Sequence, residues 1–162
     1  MFKTKSLILL LTSIYLTACV DKKFEKNNHN FQVGYIGGEY DGLQLSKQLK
    51  SNLKHFSIFN SNSTNIIEAN INHKANVYIT NIDNTSEREK IISGLSIKIY
   101  DQSQKCYVYK YDNEVSQFYI YAPSNKFISN QSAVKKIKKT NTDRLVKDFI
   151  NQLIYSKLNC EQ

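Results

Sequence analysis

Apolar residues recur along the chain at two different spacings, and the spacing predicts which segments are strands and which are helices. In residues 31–35 and in several runs between residues 67 and 122, apolar side chains alternate with polar ones, which is the period of a half-buried β-strand. Residues 41–56 and 142–158 carry apolar residues three and four apart, which is the spacing of one helix face. The predicted order is strand, helix, a meander of strands, and helix.

The two predicted helices have apolar faces that can pack on a sheet. The first begins at Asp41 as its N-cap, with Gln44 as the capping-box partner, and the second begins at Asn130. Their apolar stripes consist of Leu45, Leu49, Leu53 and Phe56 in the first helix, and of Leu145, Val146, Phe149, Ile150, Leu153, Ile154 and Leu158 in the second. We therefore expect an α+β fold of two layers, in which two helices cover one face of an antiparallel sheet of four or five strands.

Tyrosines are concentrated in the last predicted strands. Strict alternation places Cys106 and Val108 on one face of their strand, and Tyr107, Tyr109 and Tyr111 on the other. Tyrosine fits any half-buried pleated surface, so packing alone can explain this cluster. The alternative is an aromatic surface, flanked by lysines, that contacts a lipid, a glycan or a partner protein.

The first 18 residues have the pattern of an export signal. Two lysines precede an apolar run over residues 6–16, which has the length of a signal-peptide core and is too short to span a bilayer, since that takes about 20 residues. The sequence LTAC that follows, at residues 16–19, resembles the bacterial lipobox. The resemblance implies cleavage after Ala18, diacylation of the Cys19 sulfur, and acylation of the new amino group. A plain signal peptide with a chance cysteine is the alternative.

This interpretation divides the chain into a signal peptide of residues 1–18, a polar tether of residues 19–30, and one domain of residues 31–162. Three acyl chains exceed what stable anchoring in a membrane requires. In enteric-type lipoproteins an aspartate directly after the acylated cysteine retains the protein in the inner membrane, and this chain has Val20 there. The resemblance therefore implies an outer-membrane lipoprotein whose domain faces the periplasm.

The net charge is +8 at pH 7, and the signal peptide accounts for two of these units. A positive balance in the periplasm favours acidic partners, such as lipopolysaccharide or an acidic glycan, although a high lysine content is also typical of AT-rich genomes. Nucleic acid is not an expected partner of an exported lipoprotein. Lys47, Lys50 and Lys54 lie opposite the apolar stripe of the first predicted helix, where they form either a solvated face or an anion-binding face.

Cys106 and Cys160 are the two cysteines outside the predicted lipobox. The periplasm is oxidising, and an even pair of cysteines there is more often a disulfide than a metal site or a nucleophile. Such a bridge would close a loop of about 55 residues, worth on the order of 4 kcal/mol in the chain-entropy model. Two free thiols are the alternative.

The sequence contains no recognisable motif for catalysis or metal binding. Ser-His-Asp, Cys-His, zinc and phosphate-loop patterns are missing, and the glycines of GYIGGEY, residues 34–40, are explained by a turn. His29, His55 and His73 are expected to be exposed polar residues. We therefore expect a binding protein with no catalytic residues, no metal and no cofactor.

The layout of the chain also resembles the lipopolysaccharide-assembly lipoprotein family, whose members plug the outer-membrane translocon barrel. The resemblance rests on LTAC at 16–19, DGLQLSKQLKSNL at 41–53, ISGLSIKIYDQSQKCYVYKYD at 92–112 and TDRLVKDFINQLIYSKL at 142–158. The Gly-Phe-rich segment that often follows the family's acylated cysteine is missing. The resemblance implies a non-catalytic assembly or binding subunit of an envelope complex, with an outer-membrane protein as partner. The alternative is a structural adaptor of a secretion, pilus or conjugation apparatus, or a surface lipoprotein.

Overall fold

The computed structural model describes residues 29–79, 87–120 and 127–160. The elements, in chain order, are β1 (Phe31–Gly37), α1 (Glu39–His55), β2 (Asn65–Ile79), β3 (Glu87–Asp101), β4 (Cys106–Ile120) and α2 (Phe127–Tyr155). The predictions for Ala18 and Cys19, for the signal peptide, and for nearly all of the tether lie outside the described residues.

The four strands form one sheet in the order β1-β2-β3-β4. β1 and β2 are parallel, because α1 connects them as a crossover, and the other two pairs are antiparallel. Both helices contact the sheet and each other. The predicted two-layer α+β fold is confirmed, with four strands and with one parallel pair that makes the sheet mixed. Alternating runs were predicted from residue 67 onwards, and those up to residue 79 belong to the single strand β2.

The core lies between the sheet and the two helices. The predicted stripes supply it, because most of their residues are buried. Leu49, Phe149 and Ile150 are among those that have no exposed surface. The sheet contributes alternate residues of β2 and β3 to this core, namely Ile67, Ala69 and Ile71 from β2 and Leu95, Ile97 and Ile99 from β3. Alternation along the strands and helical spacing along the helices therefore generate one shared apolar layer.

A β-bulge in β4 changes the orientation of the tyrosines. The register between β3 and β4 shifts by one residue, so that Val108 is extra and Tyr109 points to the same face as the helices. Tyr109 and Tyr111 pack on the ring of Phe149, whereas Tyr107 lies on the opposite, outer face of the sheet. The prediction that the three tyrosines share one face is therefore wrong.

The long strands give the domain two distinct ends. β1 begins with Phe31 at one end, here called the tether end. Phe31 pairs with Asn65 of β2 on one side. On its other side, its N–H donates a hydrogen bond to the Ile58 carbonyl and its carbonyl accepts one from the Asn60 N–H. The opposite end, here called the distal end, is where β2 and β4 finish and where β3 and α2 start. A strand of 15 residues separates the two ends by roughly 45 Å, at about 3.3 Å per residue.

A disulfide between Cys106 and Cys160 closes the tether end. The two Cα atoms are 5.7 Å apart, which is a usual separation for a disulfide. Cys106 begins β4, and Cys160 lies shortly after α2 ends at Tyr155. The predicted pairing is confirmed, and it fastens the end of α2 to the sheet.

Candidate functional site

A cavity of about 500 Å³ opens near the distal end, between the start of α1, the first half of α2, and the sheet. Most of its lining is apolar, and tyrosine rings from α1 and β4 form part of it. Its lining residues include Tyr40, Asp41, Glu89, Tyr119, Lys135 and Lys138. The cavity has the size and the mixed lining of a small-molecule site.

A tight turn places Asp41 at this cavity. Gly38 precedes α1 with a φ of 106°, and a Cβ atom there would lie 2.7 Å from the carbonyl oxygen of Ile71. Only glycine allows both the positive φ and this close approach to β2. The predicted turn is thus formed at Gly38, whereas Gly34 and Gly37 lie within β1. Gly38 occupies the N-cap position, so the prediction of Asp41 as N-cap is wrong, and Asp41 lies inside the first turn.

Asn130 is likewise not an N-cap. α2 already begins at Phe127, and Asn130 is a buried residue in the wall of the cavity. The predicted start was too late, because the sequence alone does not show whether an asparagine precedes a helix or lies inside one.

Behind the cavity lies a group of polar side chains, here called the inner cluster, made of Asp41, His73, Ser93, Lys138 and Asn141. His73 Nδ1 is 2.8 Å from Ser93 Oγ, which also accepts a hydrogen bond of 2.9 Å from Asn141 Nδ2. On the other side of the ring, Asp41 Oδ2 is 3.8 Å from His73 Nε2 and 3.5 Å from Lys138 Nζ. The inner cluster therefore joins both helices to the two central strands.

His73 was expected to be an exposed polar residue, and this expectation is wrong. Only 3% of its side chain is exposed. Its position continues the inward series of Ile67, Ala69 and Ile71 along β2, so the alternation itself carried the signal. His55, by contrast, is exposed, as predicted.

The inner cluster contains an acid, an imidazole and a hydroxyl in contact, but it is not arranged for nucleophilic attack. Ser93 has no exposed surface, and its oxygen already accepts the amide hydrogen of Asn141. A nucleophile must be reachable by its substrate. Within the described part of the chain, no group of three or more His, Cys, Asp or Glu residues could hold a metal ion either.

Burial lowers the pKa of His73 below its ordinary value of 6.5. Asp41 opposes this shift, and the ammonium of Lys138 adds to it. The ring is therefore neutral at pH 7. With its hydrogen on Nε2, facing Asp41, the ring accepts a hydrogen bond from the Ser93 hydroxyl at Nδ1, and the contacts of the inner cluster are then consistent with each other.

We expect the free energy of unfolding to fall as the pH is lowered from 7 to 5. Below about pH 6.5 the unfolded chain takes up a proton at residue 73 more readily than the folded chain, in which the pKa of His73 is lowered. Melting temperatures followed by circular dichroism will show the fall. It should be smaller in His73→Gln than in the parent, and His55→Gln, at an exposed position, is the matched control. An equally steep fall in His73→Gln would contradict the assignment.

The predicted contact residues on α1 and β4 lie apart. Lys47, Lys50 and Lys54 are exposed along α1, and Lys54 Nζ lies 5.3 Å from the ring centroid of Phe59. The tyrosines are on β4, at the opposite edge of the sheet from β1. The structure therefore does not unite these lysines and tyrosines in one surface, and a contact role for each set stays a prediction.

The three tyrosines have different surroundings. Tyr111 donates a hydrogen bond of 2.9 Å to Asp148 Oδ2 of α2, and burial raises the pKa of its hydroxyl. Burial likewise raises the pKa of Tyr109. On the outer face, Tyr107 donates a hydrogen bond of 3.2 Å to Glu68 Oε2, and Lys98 Nζ lies 5.4 Å from its ring centroid. Tyr111 therefore fastens α2 to β4, and Tyr107 is the one of the three on the outer face.

No helix among the described residues is long and apolar enough to cross a membrane.

No family model and no curated protein matches the sequence. Solved structures do match the fold. A minor lipoprotein from Acinetobacter baumannii superposes with a TM-score of 0.62 at 14% identity, over 85% of this chain and 98% of that one. Rare lipoprotein B from Shewanella oneidensis superposes with a TM-score of 0.55 at 8% identity, over 78% and 97% of the two chains. The chain thus has the fold of bacterial lipoprotein domains.

Proposed function

We propose that the protein is a lipid-anchored, non-catalytic subunit of an outer-membrane complex that assembles or exports a surface component such as lipopolysaccharide. The observation that carries this proposal is the fold, which covers nearly the whole domain of a minor lipoprotein and of rare lipoprotein B. The lipobox resemblance of residues 16–19 supports it, because it supplies the anchor that such a domain needs.

The arrangement of the two ends supports a role in binding. Cys19 is joined to the tether end through residues 20–30, and the cavity lies near the distal end. An anchored domain would thus present the cavity away from its own attachment point, towards a partner or a ligand.

The surface near the distal end has both charged and apolar side chains. Tyr40, Ile120 and Ile128 are exposed, at 62%, 71% and 78%. The first half of α2 carries four lysines in the sequence AVKKIKK, residues 133–139. Acyl chains and phosphates are the two chemical parts of a lipopolysaccharide, and apolar side chains and lysines are their complements. This surface therefore supports a lipid-bearing anionic ligand.

Affinity capture tests the proposal. The lipidated protein, crosslinked mildly in intact cells and extracted in detergent, is expected to bring down an outer-membrane barrel protein. Its depletion is expected to reduce the lipopolysaccharide displayed on the cell surface.

Matched variants locate the contact on the protein. Lys135→Gln with Lys138→Gln changes the distal half of α2, whereas Lys47→Gln with Lys50→Gln removes the same charge from α1. Loss of capture in the first pair alone supports a distal contact. Recovery of a secretion or pilus component would favour the structural adaptor instead, and recovery of no envelope protein would contradict both.

A further inference from the structure

The net charge of the residues that line the cavity is zero as long as His73 is neutral. Asp41 and Glu89 are the acids, and Lys135 and Lys138 are the bases. Glu89 accepts a hydrogen bond from the hydroxyl of Tyr119, and Asp41 is paired with Lys138. The cavity therefore has no net preference for an anion or a cation at neutral pH.

One proton on His73 changes this balance. The charged groups that face its ring come from both helices, Asp41 from α1 and Lys138 from α2, and the neighbouring strand β3 contributes the uncharged Ser93. A charged ring attracts Asp41 and repels Lys138. Asp41 Oδ2 lies within 3.8 Å of both His73 Nε2 and Lys138 Nζ. A small movement of the carboxylate can therefore exchange the lysine for the histidine as its partner.

On protonation, the inner cluster offers an acceptor for the new hydrogen on Nδ1 of His73. Both nitrogens of a charged imidazole are donors, so Nδ1 would donate to Ser93 Oγ, and the Ser93 hydroxyl would need a new acceptor. Asn141 Oδ1 is a buried acceptor with no hydrogen-bond partner among the described residues. A rotation of the Asn141 amide would bring Oδ1 to the Ser93 hydroxyl, and it would move the Nδ2 hydrogens away from Ser93 Oγ. This spare acceptor is the observation that distinguishes the inner cluster from an ordinary buried histidine.

We propose that the cavity binds anionic amphiphiles and that protonation of His73 strengthens this binding, by drawing Asp41 away from Lys138 and leaving the Lys138 ammonium available to the ligand. The apolar body of the ligand would lie against Tyr40, Val134 and Tyr119, and its sulfate, phosphate or carboxylate would face Lys135 and Lys138. The inference rests on the proposed function in that both place a ligand near the distal end. It adds the chemical class of the ligand and the regulation of its binding by pH.

Hexyl sulfate is a suitable probe, because it keeps one negative charge from pH 5 to pH 8, and hexanol is its uncharged control. The full-length lipidated protein is held in nanodiscs of zwitterionic lipid, and binding is measured by titration calorimetry against empty nanodiscs. The Kd for hexyl sulfate is expected to fall by about threefold to tenfold between pH 7.5 and pH 5.5, the effect of one added charge near a partly exposed site. The weak binding of hexanol should not change.

Three variants assign the effect to residues. His73→Gln is expected to bind hexyl sulfate with a Kd that no longer depends on pH. Lys138→Gln is expected to bind weakly at every pH. Lys136→Gln, an exposed lysine on the same helix outside the cavity lining, is the matched control and should behave as the parent.

A second measurement does not depend on any variant folding. Because linkage is reciprocal, bound hexyl sulfate must raise the pKa of the His73 ring in the parent protein, which NMR of the imidazole protons can follow. An unchanged His73 titration, no hexyl sulfate binding, or pH dependence that persists in His73→Gln would each overturn the inference. Capture of a barrel protein in the crosslinking experiment would be unaffected by these outcomes, so the two proposals fail separately.

Discussion

Replacement of Cys19 by serine is expected to leave the precursor uncleaved and without lipid. The acyl transfer that the lipobox resemblance implies would need the sulfur of Cys19, and signal cleavage at a lipobox follows that transfer. Growth with labelled palmitate, followed by immunoprecipitation, measures both results in one gel, because the uncleaved precursor is also larger. All of the label should be lost in Cys19→Ser.

Cys106→Ser is the matched control for this experiment, since the same exchange is then made at a cysteine that forms the disulfide. It should incorporate palmitate as the parent does. Normal labelling of Cys19→Ser would refute the lipid anchor, and with it the proposed attachment to the membrane.

Loss of the disulfide is expected to reduce the free energy of unfolding by about 2–4 kcal/mol. That is a large part of the roughly 5–15 kcal/mol that stabilises a typical domain. The bridge joins the start of β4 to the segment after α2, and a broken bridge frees this segment from the sheet at the tether end. The domain should still fold, because the apolar stripe of α2 remains buried against the strands.

Cys106→Ser and Cys160→Ser should lower the unfolding free energy by similar amounts, and the double variant should lower it little further, because either single change already breaks the bond. Denaturant titration of all three variants measures this pattern. Two free thiols, found by mass spectrometry in protein blocked immediately after extraction, would show instead that the bridge does not form in the cell.

The fold class was predictable because its signals are local. The spacing of Leu45, Leu49 and Leu53 defines a helix whatever lies elsewhere in the chain, and the alternation of Leu95, Ile97 and Ile99 defines a strand in the same way. The parallel pairing of β1 with β2 is different, because it depends on the path of the crossover through α1. No short segment of the sequence contains that information.

The orientation of the tyrosines could not be predicted, because it depends on one extra residue. Val108 enters β4 as a bulge, and every later residue then faces the side opposite to the one that strict alternation assigns. The sequence around residue 108 contains no glycine or proline that would indicate a bulge. A single insertion of this kind moves Tyr109 and Tyr111 from the solvent face into the core.

The inner cluster was partly predictable. The inward positions of His73 and Ser93 follow from the same alternation that buries their apolar neighbours. The contacts with Asp41, Lys138 and Asn141 do not, since these residues come from both helices and meet the strands only through the tertiary arrangement. The cavity has the same origin, because its lining comes from α1, α2, β3 and β4.

The hydrogen bonds on both sides of Phe31 affect how the domain bears a pulling force. An anchored domain that binds a partner at its distal end is under tension whenever the partner and the membrane move apart, and this tension enters the fold at the first residue of β1. The load runs along β1, so the hydrogen bonds to β2 are strained in shear and share it, rather than opening one after another. Because Phe31 also exchanges backbone hydrogen bonds with Ile58 and Asn60, part of the load passes to the segment between α1 and β2. In the proposed anchored protein, the bonds around Phe31 would thus resist pulling.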